Sequence, residues 1–209
     1  ASMNLRKPAL IAGAAAVVAG AAPGAVAQTA ANFPAKPVRI VVPFAPGGPN
    51  DILARMIGQK WNEAWGQPVV IENRGGAGGT IGIEYGAKAP PDGYTVMMGG
   101  MSNLAVAVGM SPKLGYDPHE LTPLTNVAIV PYVLAINPYV PAKNVRELIA
   151  VARSKKSLLS YGSSGTGAIS HLAAELFKSM TATDIVHVPY KGTAPAVTDV
   201  IAGQIDMMF

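Results

Sequence analysis

Three short segments of the chain are built mainly of glycine, proline, serine and threonine, and each lies between a predicted strand and a predicted helix. They are residues 43–50, 72–80 and 162–167. In open parallel sheets, ligands bind at the carboxyl ends of the strands. Helix N-termini at that edge offer free N–H groups and partial positive charge to an anion. Any one segment could be an ordinary tight turn, but three together predict that a small anion binds between them, without a metal.

A nucleotide site is disfavoured by the spacing of the glycines. Residues 76–82 nearly match the dinucleotide fingerprint, but Ile81 stands where its third glycine is required. Neither of the glycine loops is followed by the lysine of a P-loop. The sequence therefore predicts no nucleotide cofactor.

A serine hydrolase is the alternative chemistry that these loops allow. Ser163 or Ser164 would be the nucleophile and His171 the base. Thr166 stands where the G-x-S-x-G pattern needs its last glycine, and His171 lies on the following helix. The three histidines of the chain also lack the spacing of metal ligands, so no metal and no cofactor are predicted.

Two charged residues near the first loop have more than one interpretation. Asp51 and Arg55 are four residues apart on a predicted helix and can form a simple surface pair. Asp51 could equally bind N–H groups at the helix start and hold the preceding loop.

Lys191 is a cation in another candidate site loop. It could contact a ligand or be a solvated surface residue.

Strand and helix patterns alternate along the whole chain. The first half predicts strands at 38–42, 69–71 and 94–98, with helices beginning at Asp51 and spanning 81–88. The second half predicts strands within 127–136 and at 158–161, 185–188 and 205–209, with helices at 145–154, 169–180 and 196–202. This alternation is typical of parallel sheets covered by helices.

Composition excludes several classes of function. The chain has no cysteine, so it can form neither a disulfide framework nor a thiolate metal site. The formal charge is +4, and removing Arg6 and Lys7 with the N-terminal segment leaves +2. So mild a charge, without a strong basic run, does not indicate nucleic-acid binding.

The N-terminus has the pattern of a secretory signal peptide. A basic start is followed by an apolar run at 9–22 and by Ala25-Val26-Ala27, a small-residue cleavage site. The run is too short for a spanning helix. We expect residues 1–27 to be removed, with Ala1-Ser2 a cloning remnant. At the other end the chain stops inside the apolar strand predicted at 205–209, and this suggests a truncated product.

The loop sequences resemble those of the substrate-binding receptors of tripartite tricarboxylate transporters, the Bug family. Six motifs occur in order between about Phe33 and Phe209. Any one of them is weak, but their order is specific. They are residues 43–48 with Asp51 and Ala54-Arg55, 72–79 (ENRGGAGG), 90–95 (PPDGYT), 161–167 (YGSSGTG) with His171-Leu172 and Glu175, 188–192 (VPYKG) and 203–206 (GQID).

The resemblance implies a two-lobed periplasmic-binding-protein fold, type II-like, with parallel-rich sheets flanked by helices. Residues 28–101 would form lobe one and 102–209 lobe two. Such receptors deliver a small carboxylate to membrane permease subunits. Carried over by position, the ligand-binding residues would be Phe44, Ala45, Gly47, Gly48, Asp51, Ser163, Ser164, Gly165 and Thr166, with Met101, Ser102, Asn103 and Tyr190 as weaker candidates for the variable end of the ligand.

One departure from the family lies at the C-terminus. Members continue with a segment that returns to lobe one and completes its sheet, and the chain lacks this segment. We expect the full-length form to be a monomer in the periplasm and no nucleic acid to be a partner. A third hypothesis, beside a receptor and a hydrolase, is that the chain is a truncated remnant that binds no ligand.

Overall fold

Two β-sheets organise the chain, which the computed structural model describes over residues 33–154 and 158–209. The first sheet has the order β2-β1-β3 and is wholly parallel. Its strands are β1 (Val38–Val42), β2 (Val69–Asn73) and β3 (Thr95–Met97). We call this sheet and its helices lobe one. The predicted signal peptide lies outside the described residues.

Strand β1 is the buried centre of lobe one. Val38, Ile40, Val41 and Val42 are at most 1% exposed, because strands lie on both sides and helices cover the faces. Helix α1 (Pro49–Trp65) joins the core of β1 and β2 through its buried Ala54.

Lobe one carries two helices between its strands. Trp61 and Trp65 lie one turn apart on α1, with ring centroids separated by 4.8 Å. Helix α2 (Thr80–Ala87) follows a 3₁₀ turn over Ala77–Gly79 and buries Ile83.

The second sheet has the order β4-β7-β5-β6 and is mostly parallel. Strand β5 (Ser160–Ser163) runs parallel to both β6 (Val186–Pro189) and β7 (Met207–Met208). Strand β4 (Ala135–Ile136) is antiparallel to β7. We call this sheet, with its helices, lobe two.

Helices cover both faces of the second sheet. One core joins Tyr161 and Met207 to helices α4 (Val145–Arg153) and α5 (Ile169–Thr181). The other lies under α6 (Thr193–Ile201) and contains Ala196, Val200, Ile205 and Met208. The predicted α/β class with parallel sheets between helices is therefore confirmed.

The connection between the sheets is largely irregular. It contains a π-helical turn over Ser102–Val106, helix α3 (Ala107–Met110) and a 3₁₀ turn over Pro118–Glu120. Residues 121–134 form no regular element. We call them the exposed strip, since Leu124, Ile129 and Val133 are 69%, 89% and 71% accessible.

Several predicted element bounds need correction. The strands expected within 127–136 are wrong except for β4, because no described strand pairs with residues 127–134 and Pro131 lacks a donor. Helix α1 begins at Pro49 rather than Asp51, with Gly48 at its N-cap. Strand β5 begins two residues later than predicted and extends to Ser163, so this residue belongs to a strand and not to a loop.

Two negative findings apply to residues 33–154 and 158–209. No helix there has the length and apolar character needed to cross a bilayer. The same residues contain no group of three or more His, Asp or Glu side chains arranged to hold a metal.

Candidate functional site

The predicted site loops from the two lobes meet at the carboxyl ends of the strands. The Ala45 N–H, after β1, donates to the backbone oxygen of Lys191, after β6, at 2.9 Å. The Ile169 N–H, at the start of α5, donates to Ser102 Oγ at 3.1 Å. The loops that sequence reasoning selected therefore lie against one another across the two lobes.

Asp51 holds the first loop from inside the first turn of α1. The side chain is 3% exposed, and its Oδ2 accepts the Gly47 N–H at 2.9 Å. The same oxygen accepts Arg55 Nε at 2.9 Å. The interpretation of Asp51 as a loop anchor is thus confirmed. The simple surface pair is wrong, because Asp51 is buried while it pairs with Arg55.

Asn73 completes this anchor, and sequence reasoning did not single it out. Its Nδ2 donates to the Phe44 backbone oxygen at 3.1 Å and to Asp51 Oδ1 at 2.9 Å. Burial alone would raise the pKa of Asp51, but the donors Arg55, Gly47 and Asn73 outweigh it and hold that pKa below its usual value. The position of Asn73 at the end of β2, beside the end of β1, is the signal that could have identified it.

Two glycines allow the loops of the two lobes to touch. A Cβ on Gly78 would lie 2.8 Å from the Thr166 backbone oxygen, and the residue also has φ of +64°. A Cβ on Gly192 would lie 2.8 Å from the Ala45 backbone nitrogen. Any side chain at either position would push the lobes apart.

Four helix N-termini gather at these contacts. The Thr193 backbone nitrogen of α6 lies 3.9 Å from where a Cβ on Gly48, the N-cap of α1, would be. The start of α5 at Ala168 meets Gly78, just before α2. None of these four helices has a side-chain N-cap, whereas the remote α4 has one in Asn144.

The loop after β5 is held by its own hydroxyl groups. Ser164 N–H donates to Ser170 Oγ at 3.0 Å, and the two serine oxygens are 3.1 Å apart. The Gly165 N–H donates to Ser163 Oγ at 3.1 Å. Ser163, at the end of β5, and Ser164 are 0% and 6% exposed, so neither hydroxyl faces open solvent in this closed arrangement.

The imidazole beside Ser163 belongs to His187, and the expected pairing with His171 is wrong. His187 Nε2 lies 2.7 Å from Ser163 Oγ, because Tyr161 pairs with His187 in the β5–β6 register. His171 instead accepts the Gly167 N–H through Nδ1 at 3.3 Å. This pairing gives a serine–histidine couple, but Ser163 is fully buried and no described carboxylate is hydrogen-bonded to His187.

The residues at the crossover from lobe one differ in their surroundings. Met101 is 68% exposed, and Ser102 makes the contact with α5 given above. Asn103 is fully buried, and its Oδ1 accepts the Gly100 N–H at 2.9 Å. Its Nδ2 points toward Gly79 and has no hydrogen-bond partner among the described residues. A buried N–H donor without an acceptor is costly, so Asn103 is a reasonable ligand contact.

Tyr190, another of the weaker candidates, has its hydroxyl engaged elsewhere. The hydroxyl donates to Asp199 Oδ2 of α6 at 2.5 Å. Burial, with the Asp199 carboxylate, raises the Tyr190 pKa to about 12. The Tyr190 backbone N–H donates to the Ser163 backbone oxygen at 3.0 Å, so Tyr190 supports the site through its main chain.

The two best-defined cavities lie away from the gathered loops. A cavity of about 520 Å³ lies near Lys36, Arg39 and Tyr85, and another of about 650 Å³ lies near Val108 and Tyr116. Neither is lined by the loops that meet between the lobes. The candidate site is therefore the group of loops that meet between the lobes. A cleft that closes on its ligand is narrow when the lobes touch.

Comparison with solved structures supports this organisation. An R. palustris protein solved with adipate superposes with a TM-score of 0.80 at 41% identity, over 84% of this chain and 59% of that one. MatC from Rhodopseudomonas palustris, solved with bound malate, has a TM-score of 0.78 at 36% identity, over 84% and 60%. The sequence-based prediction of a periplasmic-binding-protein fold is confirmed by these similarities.

Sequence comparison gives the family. A Pseudomonas sp. (strain P51) protein from the tcbD-tcbE intergenic region is 39% identical over 183 residues, 87% of this chain and 54% of the relative. BugT of Bordetella pertussis is 38% identical over 85% of this chain and 55% of its own length. The chain thus spans about half the length of these curated relatives. The family profile described as "Tripartite tricarboxylate transporter family receptor" matches residues 53–209, and the chain belongs to that family.

Proposed function

We propose that the chain is a receptor, not an enzyme, that binds a small organic carboxylate between its two lobes. Two findings support a receptor rather than a catalyst, namely the family and the binding proteins among its structural neighbours. The signal-peptide pattern of residues 1–27 supports a periplasmic location. The family description supports delivery of the solute to membrane permease subunits.

The gathering of four helix N-termini without side-chain caps carries the proposal. Each helix N-terminus presents unsatisfied N–H groups and partial positive charge. Side-chain caps would occupy those donors, yet the N-cap residues of α1, α2, α5 and α6 provide none on the side where the lobes meet. At α5 one donor, the Ile169 N–H, is already bound by Ser102 Oγ. A carboxylate placed there would accept from donors of both lobes and hold the lobes together.

The ligand contacts would come from both lobes. Lobe one would supply the loop that Asp51 anchors, and lobe two the loop that Ser163 and Ser170 shape. The proposed contact residues are Phe44, Ala45, Gly47, Gly48, Asp51, Ser163, Ser164, Gly165 and Thr166, with Met101, Ser102, Asn103 and Tyr190 toward the variable end of the ligand. Adipate and malate in the similar structures are carboxylates, as this arrangement requires.

A serine hydrolase remains the competing function, and the 2.7 Å contact of Ser163 with His187 favours it. Against it stand the complete burial of Ser163 and its hydrogen bond from Gly165. A fluorophosphonate probe separates the two functions. Labelling that disappears in the Ser163→Ala variant would support the hydrolase, and absence of labelling is what a receptor requires.

Thermal unfolding against a panel of carboxylates tests the proposal. A ligand at about 100 times its dissociation constant stabilises the folded state by about 2.7 kcal/mol. We expect at least one of adipate, malate and related acids to raise the melting temperature, and the corresponding amides to have no effect. If the chain unfolds cooperatively and no carboxylate stabilises it, the proposal fails.

A matched pair of glycine variants adds a structural control. Gly66 and Gly78 have φ of +65° and +64°, so alanine strains the backbone equally at both. Only Gly78 faces the other lobe, at the Thr166 oxygen, whereas nothing lies near Gly66. Gly78→Ala should therefore reduce the ligand-induced shift, and Gly66→Ala should leave it unchanged. Equal ligand shifts in the two variants would argue against binding between the lobes.

A further inference from the structure

Two histidines lie beneath the lobe-two loop, and each holds a different part of it. His187 Nε2 contacts Ser163 Oγ at 2.7 Å, and that oxygen accepts the Gly165 N–H at 3.1 Å. His171 Nδ1 accepts the Gly167 N–H at 3.3 Å. The backbone donors of Gly165 and Gly167 are therefore positioned by two imidazoles.

The two imidazoles are stacked on each other. Their ring centroids are 4.3 Å apart, and the Tyr161 ring lies 4.8 Å from the other side of His187. Burial lowers the pKa of His187, and the nearby charge of His171 lowers it further. His187 is therefore neutral in the free protein near neutral pH.

The other ionisable groups around His187 lie on β5 and α5. Tyr161 donates to Glu175 Oε1 at 2.6 Å, and Lys178 Nζ lies 2.8 Å from the same oxygen. The opposite charges of Glu175 and Lys178 partly cancel at His187. The other face of β6, at Val188, packs against the apolar core under α6, so the charged neighbours named here are the ones that face His187 among the described residues.

The proton on His187 decides what the Ser163 hydroxyl can do. A serine hydroxyl has one proton to donate and two lone pairs to accept with. Neutral His187 can carry its proton on either ring nitrogen, and we assign the Nδ1–H tautomer to the free protein. In that tautomer Ser163 donates to Nε2 across the 2.7 Å contact and has no proton for a ligand. When His187 is protonated, its Nε2–H and the Gly165 N–H fill both lone pairs, so the Ser163 proton turns toward another acceptor.

We propose that His187 is a positioning residue whose protonation directs the Ser163 hydroxyl to a bound carboxylate, so that ligand binding takes up one proton. The inference rests on the proposed carboxylate-binding function. His171 keeps a separate contact in the same loop, since its Nδ1 accepts the Gly167 N–H.

The direction of the pH dependence follows from the charge of the ligand. A carboxylate near His187 favours the protonated imidazole, so binding raises the pKa of His187. Between the free and bound pKa values, affinity increases as pH falls, by at most about tenfold per pH unit for one proton. Ligand carboxyl groups titrate near pH 4, so they stay ionised across this range.

Isothermal titration calorimetry with adipate and with malate tests the coupling. Each titration is run in two buffers of different protonation enthalpy, at about pH 6 and about pH 8, on either side of the ordinary histidine pKa. We expect wild-type protein to take up a fraction of a proton at the lower pH, and to bind more tightly there than at about pH 8.

A conservative variant separates positioning from a merely structural role. Gln at position 187 can donate to Ser163 Oγ at every pH without changing its charge. His187→Gln should therefore retain binding within a few-fold of wild type, with no proton uptake and a flat pH profile. His119→Gln, at an exposed position in a 3₁₀ turn, should behave as wild type.

The outcomes distinguish this inference from the proposed function. Binding without proton exchange in wild type, or unchanged proton uptake in His187→Gln, overturns the coupling and leaves the receptor function intact. If neither acid binds at any pH, the coupling fails, whereas the receptor function fails only if the whole carboxylate panel also gives no stabilisation. Should His187→Gln not fold, the imidazole ¹⁵N shifts of the wild type give the answer, because adipate or malate must move the His187 titration to higher pH.

Discussion

At the residue scale, Asp51 shows how one carboxylate can hold a binding loop. It accepts from Gly47, Arg55 and Asn73 while almost fully buried. In Asp51→Asn, the new amide N–H₂ must face at least one of these donors. A buried donor pair of this kind costs about 1–3 kcal/mol. We expect urea unfolding to show a loss of this size, together with weaker carboxylate binding.

A control for this prediction lies on the same helix. Glu63 pairs with Lys60 on the surface, and their side chains are 49% and 75% exposed. Glu63→Gln should change the free energy of unfolding by less than about 1 kcal/mol, because exposed pairs contribute little. Equal losses in the two variants would contradict a stabilising contribution from the hydrogen bonds that Asp51 accepts.

The sequence could predict Asp51 but not His187, and the difference is physical. Asp51 and Arg55 meet within one helix, where spacing along the chain determines contact. Ser163 and His187 are 24 positions apart along the chain, and their contact depends on the register between β5 and β6. A shift of one residue would place His187 on the other face, and no local pattern excludes it.

At the scale of elements, helix α4 shows what a side-chain cap contributes. Asn144 Oδ1 accepts the Glu147 N–H at 3.0 Å, and Asn144 Nδ2 donates back to the Glu147 carboxylate at 2.7 Å. Asn144→Ala should destabilise the protein by about 1 kcal/mol. Because α4 is remote from the loops, ligand-induced stabilisation should be unaltered. Asn144→Asp keeps the acceptor and should restore most of the lost stability in denaturant unfolding.

Helices and strands were predicted correctly where a local sequence pattern determines them. The prediction failed where a strand depends on pairing with another strand. The Asn144 cap and the helix after it could be predicted from residue types alone, and both are confirmed. The run at 127–134 has the apolar composition of a strand, interrupted by Pro131, yet it lacks a partner among the described residues. A strand forms only beside a second strand to which it is hydrogen-bonded, and a short segment of sequence carries no information about that second strand.

At the scale of the whole molecule, the exposed strip is the surface most prone to association. A run of exposed apolar side chains marks an interaction surface or an aggregation risk. We expect the chain to associate with rising concentration in sedimentation velocity. Changing Ile129 and Val133, which are 89% and 71% exposed, to lysine should reduce this association and leave the melting temperature nearly unchanged.

An exposed leucine outside the exposed strip provides the control for this association experiment. Leu158 is 69% exposed, as is Leu124 within the strip. Leu158→Lys should not affect association, since isolated surface apolar residues are ordinary. A wild-type chain that stays monomeric at all concentrations would contradict the prediction.

The placement of the indole rings has a spectroscopic consequence. Both tryptophans of the chain, Trp61 and Trp65, lie on α1 in lobe one. Tyr161 and Tyr190 lie in lobe two. Emission excited in the indoles alone therefore reports on lobe one, while energy transfer from tyrosine to tryptophan includes a contribution that crosses between the lobes. The efficiency of this tyrosine-to-tryptophan energy transfer thus reports on the separation between the two lobes without any added label.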